Sequence, residues 1–132
     1  MKGIDTNVLV RYLVQDEPKQ SKKAAAFIEK YCSIDELCFI SHIVLCELTW
    51  VLESNYGQSR VAIAEIIEQL LQTAQLEIME SEVVWKAVRD YKNSNADFSD
   101  HLIARTNSVN GCSTTITFDR KAGRQDNFQL LK

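Results

Sequence analysis

The stretch MKGIDTNVLVRYLV, residues 1–14, decides how the rest of the chain is read. Lys2-Gly3-Ile4-Asp5 has the length and composition of a short strand, and the run from Asn7 to Val14 begins a helix. A strand that passes straight into a helix is the opening of an α/β chain. Asp5 stands between Ile4 and the apolar run Val8-Leu9-Val10, so a carboxylate falls where core residues are dense. Such a group is costly unless it is paired, protonated or bound to a cation. The same question recurs at Glu47, at Asp97 and Asp100, and at Asp119.

Outward from that stretch, strand and helix keep alternating. The segment beginning Pro18-Lys19-Gln20 has its proline at a permitted early helical position, with Ala25, Phe27 and Ile28 facing inward. Leu37-Cys38-Phe39-Ile40-Ser41 is a buried-strand pattern. The run from His42 reads as a helix ending near Gly57. Ile63, Ile66, Ile67, Leu70 and Leu71 fall on one face of an amphipathic helix. Leu76-Glu77-Ile78-Met79 is a third strand. A helix follows, with Ser81 as its N-cap and Val84, Trp85 and Val88 on one stripe. A further helix begins around Asp97 and stops at Asn110-Gly111. Ser113 to Phe118 is a β-branched, aromatic strand, and after a basic turn Phe128 to Leu131 forms the last. The pattern predicts an α/β sandwich with a mainly parallel central sheet flanked by helices on both faces.

Length and composition narrow the class. The chain has 132 residues, 45% hydrophobic and 25% charged, which suits one globular domain spanning 1–132. No apolar run approaches a membrane span, and residues 1–14 lack a signal peptide's basic start and apolar stretch. A cytoplasmic location is the expectation. The net charge of −3 argues against binding nucleic acid through a broad basic surface, but not against a nucleic-acid enzyme whose acids surround metal ions. Cys32, Cys38, Cys46 and Cys112 form no CxxC pair, and buried reduced thiols are the expectation for them.

In parallel α/β sheets, ligands bind outside the carboxyl ends of the strands. Asp5 and Asp119 each end a strand, and Glu47 lies in the helix after the second strand. Asp97 and Asp100 share one face at the start of their helix. Each acid has an ordinary alternative. Asp5 suits an N-cap, Asp97 and Asp100 a capping pair, and Asp119 a turn acid paired with Arg120 or Lys121. Glu47 lies at i+3 from Val44 and i−4 from Val51, a phase that points it toward the core. Taken together, clustered carboxylates without histidine or cysteine suit Mg²⁺ or Mn²⁺, because such acids repel one another unless a cation neutralises them.

The residues Asp5-Thr6-Asn7-Val8-Leu9-Val10-Arg11-Tyr12-Leu13, Cys46-Glu47-Leu48, Asp97-Phe98-Ser99-Asp100-His101-Leu102-Ile103-Ala104 and Thr117-Phe118-Asp119-Arg120 resemble the PIN-domain ribonucleases. The likeness is to the VapC-type toxins of bacterial toxin–antitoxin pairs in particular, and it covers essentially the whole chain. The resemblance implies that Asp5, Glu47, Asp100 and Asp119 are the metal-binding catalytic acids, with Asp97 accessory. Thr6, Asn7 and Thr117 match polar positions beside those acids. It implies a Mg²⁺- or Mn²⁺-dependent endoribonuclease with one ion, or with a second about 4 Å away, leaving a 5′-phosphate and a 3′-hydroxyl. Arg11 and Arg120, with Lys121 and Arg124, are candidates for positioning RNA. The implied partners are RNA, a cognate antitoxin and a second copy in a homodimer, with no membrane. His101 follows the helix acid where a small residue is more usual; it either tunes Asp100 or caps the pocket, and the cap is the plainer reading.

Two other classes compete. One is a catalytically silent PIN fold that only binds a partner. The other is a Mg²⁺-binding receiver-like regulatory domain, which needs an acid pair after the first strand and an aspartate after the third. This chain offers Asp5 alone at the first position and Glu80 at the second. A phosphatase needing Asp-x-Asp after the first strand meets Asn7 instead.

Overall fold

All strand pairings in the computed structural model, which describes residues Met1–Lys132, are parallel. The elements run β1 (Lys2–Gly3), α1 (Thr6–Val14), α2 (Pro18–Tyr31), β2 (Cys38–Ile40), α3 (His42–Ser54), α4 (Arg60–Leu71), β3 (Leu76–Ile78), α5 (Ser81–Lys92), α6 (Phe98–Val109), β4 (Thr115–Thr117), a 3₁₀ turn (Ala122–Arg124) and β5 (Phe128–Leu130). The α/β class with parallel strands holds. Hydrogen bonding divides the strands into a three-stranded ladder, β1-β2-β3, and a two-stranded one, β4-β5. These ladders belong to two compact units, Met1–Met79 and Glu80–Lys132. No helix is long and apolar enough to cross a membrane.

In the N-terminal unit, Lys2 pairs with Cys38 and Cys38 with Leu76, so β2 is central. Leu9, Ile40, Leu45, Leu48, Leu52, Ile63 and Ile67 are almost wholly buried. Each such side chain contributes roughly 1.5–3 kcal/mol when removed from water. Glu17 caps α2 by accepting hydrogen bonds from the backbone N–H groups of Lys19 and Gln20, with Pro18 as the first helical residue. Ser41 and Ser59 cap α3 and α4 in the same manner.

The cysteine expectation is overturned at two positions. Cys32 and Cys38 form a disulfide, with Cα atoms 5.3 Å apart. Cys32 ends α2 and Cys38 opens β2, and Ser33 and Glu36 exchange backbone hydrogen bonds that fold the intervening turn back on itself. Cys46 is half-buried and Cys112 exposed, both as free thiols.

In the C-terminal unit, Val83, Val84, Ala87, Val88 and Tyr91 form the buried face of α5. Trp85 is off that stripe and is 38% exposed. Ser81 is the first helical residue rather than the cap. The cap position belongs to Glu80, whose backbone turns through the left-handed region at φ 41°. Tyr91 meets Phe98 edge to face at 6.0 Å. Ala96, Ala104, Ala122 and Phe128 form a small core that seats the 3₁₀ turn. Gly123 lies against Leu130, whose Cβ would stand 2.9 Å from any added Cβ, so this turn admits no larger residue without displacing β5.

Candidate functional site

Asp5 lies at the end of β1, not in the core. Ile4 and Thr6 on either side are buried, while Asp5 itself is exposed. Its backbone occupies the N-cap position of α1, but its side chain makes no capping hydrogen bond. The carboxylate is therefore not used by the helix. Thr6, one residue on, points the other way. Its hydroxyl donates to Glu47 Oε1 at 2.8 Å, tying the start of α1 to the middle of α3.

Glu47 departs from the inward orientation that its spacing suggests. It is exposed, and the buried face of α3 runs through Val44, Leu45, Leu48, Thr49 and Leu52. Val51, one of the two residues used to place Glu47 inward, is only half-buried. The apolar stripe is thus rotated away from position 47, and the Thr6 hydroxyl holds the carboxylate at its edge.

A cavity of about 490 Å³ runs beside Asp5, lined by Asn7, Val8, Arg11, Gln20 and Phe27 among others. Arg11 is already engaged there. Its guanidinium donates to Gln20 Oε1 at 2.7 Å, to Asp16 Oδ1 at 3.1 Å and to the Tyr56 hydroxyl at 3.1 Å. Tyr56 in turn donates to Asp16 Oδ2 at 2.8 Å. The Tyr56 hydrogen bond, with Arg11 adding to it, holds the Asp16 carboxyl below its usual range. Tyr56 carried no periodic or motif signal in the sequence. Only the fold brings it to Arg11.

The C-terminal unit contributes three acids. Asp97 occupies the N-cap of α6 without a side-chain capping bond, and Asp100 lies in the first turn. Burial, then the charges of Asp119 and Asp97, push the Asp100 pKa up. Asp119 and Asp97 are therefore each close enough to Asp100 to oppose its charge, and none of the three forms an ion pair. Asp119 is exposed and pairs with neither Arg120 nor Lys121. Its Oδ1 accepts from the Ala122 N–H at 2.8 Å, and its own N–H donates to Thr117 Oγ1 at 3.0 Å. The turn-acid alternative thus describes one of its two oxygens. His101 is buried, and its Nε2 lies 2.5 Å from Ser94 Oγ, which fastens the loop before α6 to the helix.

The donor set is made of hard oxygens, and crowding among Asp97, Asp100 and Asp119 favours a bound cation. The acids do not form a ready-made cage, since no group of three or more His, Cys, Asp or Glu side chains is gathered at metal-ligating spacing.

Comparison with known proteins bears on this geometry. Residues 3–127 match the PIN domain family. A VapC ribonuclease of Aquifex aeolicus (strain VF5) is 26% identical over 121 residues, covering 92% of this chain and 89% of the relative.

Proposed function

Because the chain belongs to the PIN domain family, we propose that it is a divalent-metal-dependent endoribonuclease and the toxin of a toxin–antitoxin pair. The match to a VapC ribonuclease along almost its whole length supports the reading. The observation that carries it is the group Asp97, Asp100 and Asp119, in which two acids crowd the half-buried Asp100 and none of the three forms an ion pair. A structural role would have paired or dispersed them.

The proposed ligands of Mg²⁺ or Mn²⁺ are Asp5, Glu47, Asp100 and Asp119, with one ion or two. When bound, such an ion lowers the pKa of water and offsets charge on the phosphate being cut. Asp97 adds negative charge beside Asp100. The Thr6 hydroxyl fixes one oxygen of Glu47 and leaves the other available. Ala122 N–H fixes one oxygen of Asp119 likewise, while Thr117 holds its backbone. Each bond removes side-chain freedom before any ligand arrives, which reduces the entropy lost on binding. No serine, cysteine or histidine nucleophile enters this reading. The products are a 5′-phosphate and a 3′-hydroxyl. Asn7 and Arg120 border Asp5 and Asp119 in the sequence and would meet the RNA. Arg11 is held by Asp16, Gln20 and Tyr56 and would have to leave them to do so. A cognate antitoxin, a homodimeric state and a cytoplasmic location belong to the same proposal.

The test is incubation of the full chain with total RNA, with and without EDTA, followed by mapping of the ends. Cleavage that needs Mg²⁺ or Mn²⁺ and disappears in Asp5→Asn, with an unchanged circular-dichroism spectrum, supports it. RNA left intact at every metal concentration points to the silent partner-binding module.

A further inference from the structure

A second cavity, of about 460 Å³, lies wholly within the C-terminal unit and is lined by Lys92, Asn93, Asn95, Lys121, Arg124 and Gln125 among others. No carboxylate lines it, although the chain as a whole carries a net charge of −3. Lys121 and Arg124 are exposed and take part in no ion pair. Lys121, Arg124 and several amides, without an acid among them, give this cavity a basic lining on an acidic protein.

The walls of this cavity are joined to the acids described above. Asp119 accepts from Ala122 N–H through its side chain and from Gly123 N–H through its backbone carbonyl, at 2.8 and 2.9 Å. The 3₁₀ turn that carries Arg124 is therefore built onto Asp119 itself, and Lys121 is its first flanking residue. The opposite wall, Lys92 to Asn95, leads within two residues to Asp97. Ser94 secures that wall by accepting from Ala96 N–H at 3.2 Å and bonding His101. Gly123, backed against Leu130, keeps the turn in place from behind.

We propose that this cavity is a phosphate subsite that holds a phosphodiester of the RNA strand beside the Asp97–Asp100–Asp119 carboxylates, with Lys121 and Arg124 as its cations. The assignment rests on the nuclease reading for the identity of the ligand. Arg124 supplies a planar fork for two phosphate oxygens, and Lys121 supplies a point charge. No aromatic side chain lines the cavity, so it grips the backbone and does not stack a base. Its contribution is therefore independent of RNA sequence. It lets an acidic protein hold a polyanion next to its own carboxylates.

The experiment measures binding of a short fluorescent single-stranded RNA to the full chain in EDTA, across a salt series. Lys121→Gln/Arg124→Gln removes two cations. Lys19→Gln/Lys22→Gln, two exposed lysines of α2, removes the same charge elsewhere. The expected result is affinity of order tenfold weaker for the first pair, with the salt slope reduced by about 1.4, and little change for the second. In Mg²⁺ the first pair should raise KM and leave kcat near its starting value. Equal melting temperatures would show that the fold is intact.

If RNA binding depends on Lys121 and Arg124 but nothing is cleaved, the nuclease reading fails and the subsite stands. If the first pair binds RNA like the unaltered chain at every salt concentration, or if the α2 pair weakens it as much, the subsite is overturned whatever the cleavage rate. The subsite is equally overturned if inorganic phosphate perturbs the cavity but RNA does not bind there.

Discussion

Thr6 and Glu47 lie 41 residues apart and are joined by one hydrogen bond of 2.8 Å, from the first residue of α1 to the exposed edge of α3. Thr6 is buried and its hydroxyl has this partner, so the bond fixes a carboxylate from the inside while leaving its outer oxygen free. Replacing Thr6 with valine keeps the shape and removes the donor. The expected cost is about 1 kcal/mol, a drop of roughly 4 °C in melting temperature. RNA cleavage should fall by about tenfold in kcat with little change in KM, and Thr6→Ser should restore it. Thermal melts with single-turnover cleavage measure both. Unchanged kcat in the valine variant would mean that Glu47 needs no such support.

On the proposed reading Asp119 both holds its turn and serves the cleavage site, and one substitution can separate the two. Asn in its place still offers an oxygen to the Ala122 N–H, whereas Ala does not. Asp119→Asn should melt within about 0.5 kcal/mol of the starting protein and lose cleavage. Asp119→Ala should lose cleavage and a further ~1 kcal/mol of stability through the lost turn bond. Equal stability of the two variants would remove the turn-holding role.

The burial and crowding of Asp100 predict a pH-dependent stability that, on the proposed reading, a bound metal ion alters. Its folded-state pKa is raised, first by burial and then by Asp119 and Asp97, so the folded state holds the proton more tightly than the unfolded one. Metal-free stability should therefore fall as pH rises from the ordinary carboxylate range through the raised value, and stay lowered above it. Added Mn²⁺ should raise the melting temperature at pH 7 and do little at pH 4, where protons compete. Asp100→Asn should stabilise the metal-free chain at neutral pH and blunt the response to Mn²⁺. Calorimetric scans at the two pH values, with and without the ion, decide it. An undiminished Mn²⁺ shift in Asp100→Asn removes Asp100 from the ligand set.

Asp16 behaves in the opposite sense. Its pKa is lowered, chiefly by the Tyr56 hydroxyl, so the stabilisation it brings is present above the unfolded carboxylate pKa and is lost as pH falls through the lowered value. Tyr56→Phe should weaken the fold at pH 7. Its difference from the unaltered chain should shrink as the pH is taken below the usual aspartate range. Urea titrations at pH 7 and pH 3 report this, and a gap of equal size at both would assign Tyr56 a packing role only.

The sequence by itself determined the order and kind of the elements, because those follow from local periodicity and turn chemistry. Ile63, Ile67 and Leu70 are buried where their helical spacing places them, and Pro18 starts α2. Asp5 and Asp119 stand at strand ends, and Asp97 and Asp100 at a helix start, as their neighbours imply. What only the tertiary structure decided is which groups meet. The face of Glu47, the engagement of Arg11 by Tyr56, and the closure of Cys32 on Cys38 all depend on partners from separate turns or helices. The use of one Asp119 oxygen by the turn that carries Arg124 is, by contrast, a bond three residues along, local enough for the turn-acid reading of the sequence to include it. A stripe of apolar residues fixes a helix but leaves its rotation uncertain by a fraction of a turn, and packing settles that rotation. Hydrogen bonds between distant residues have no period in the chain at all, so they exist only once the core has brought their backbones together.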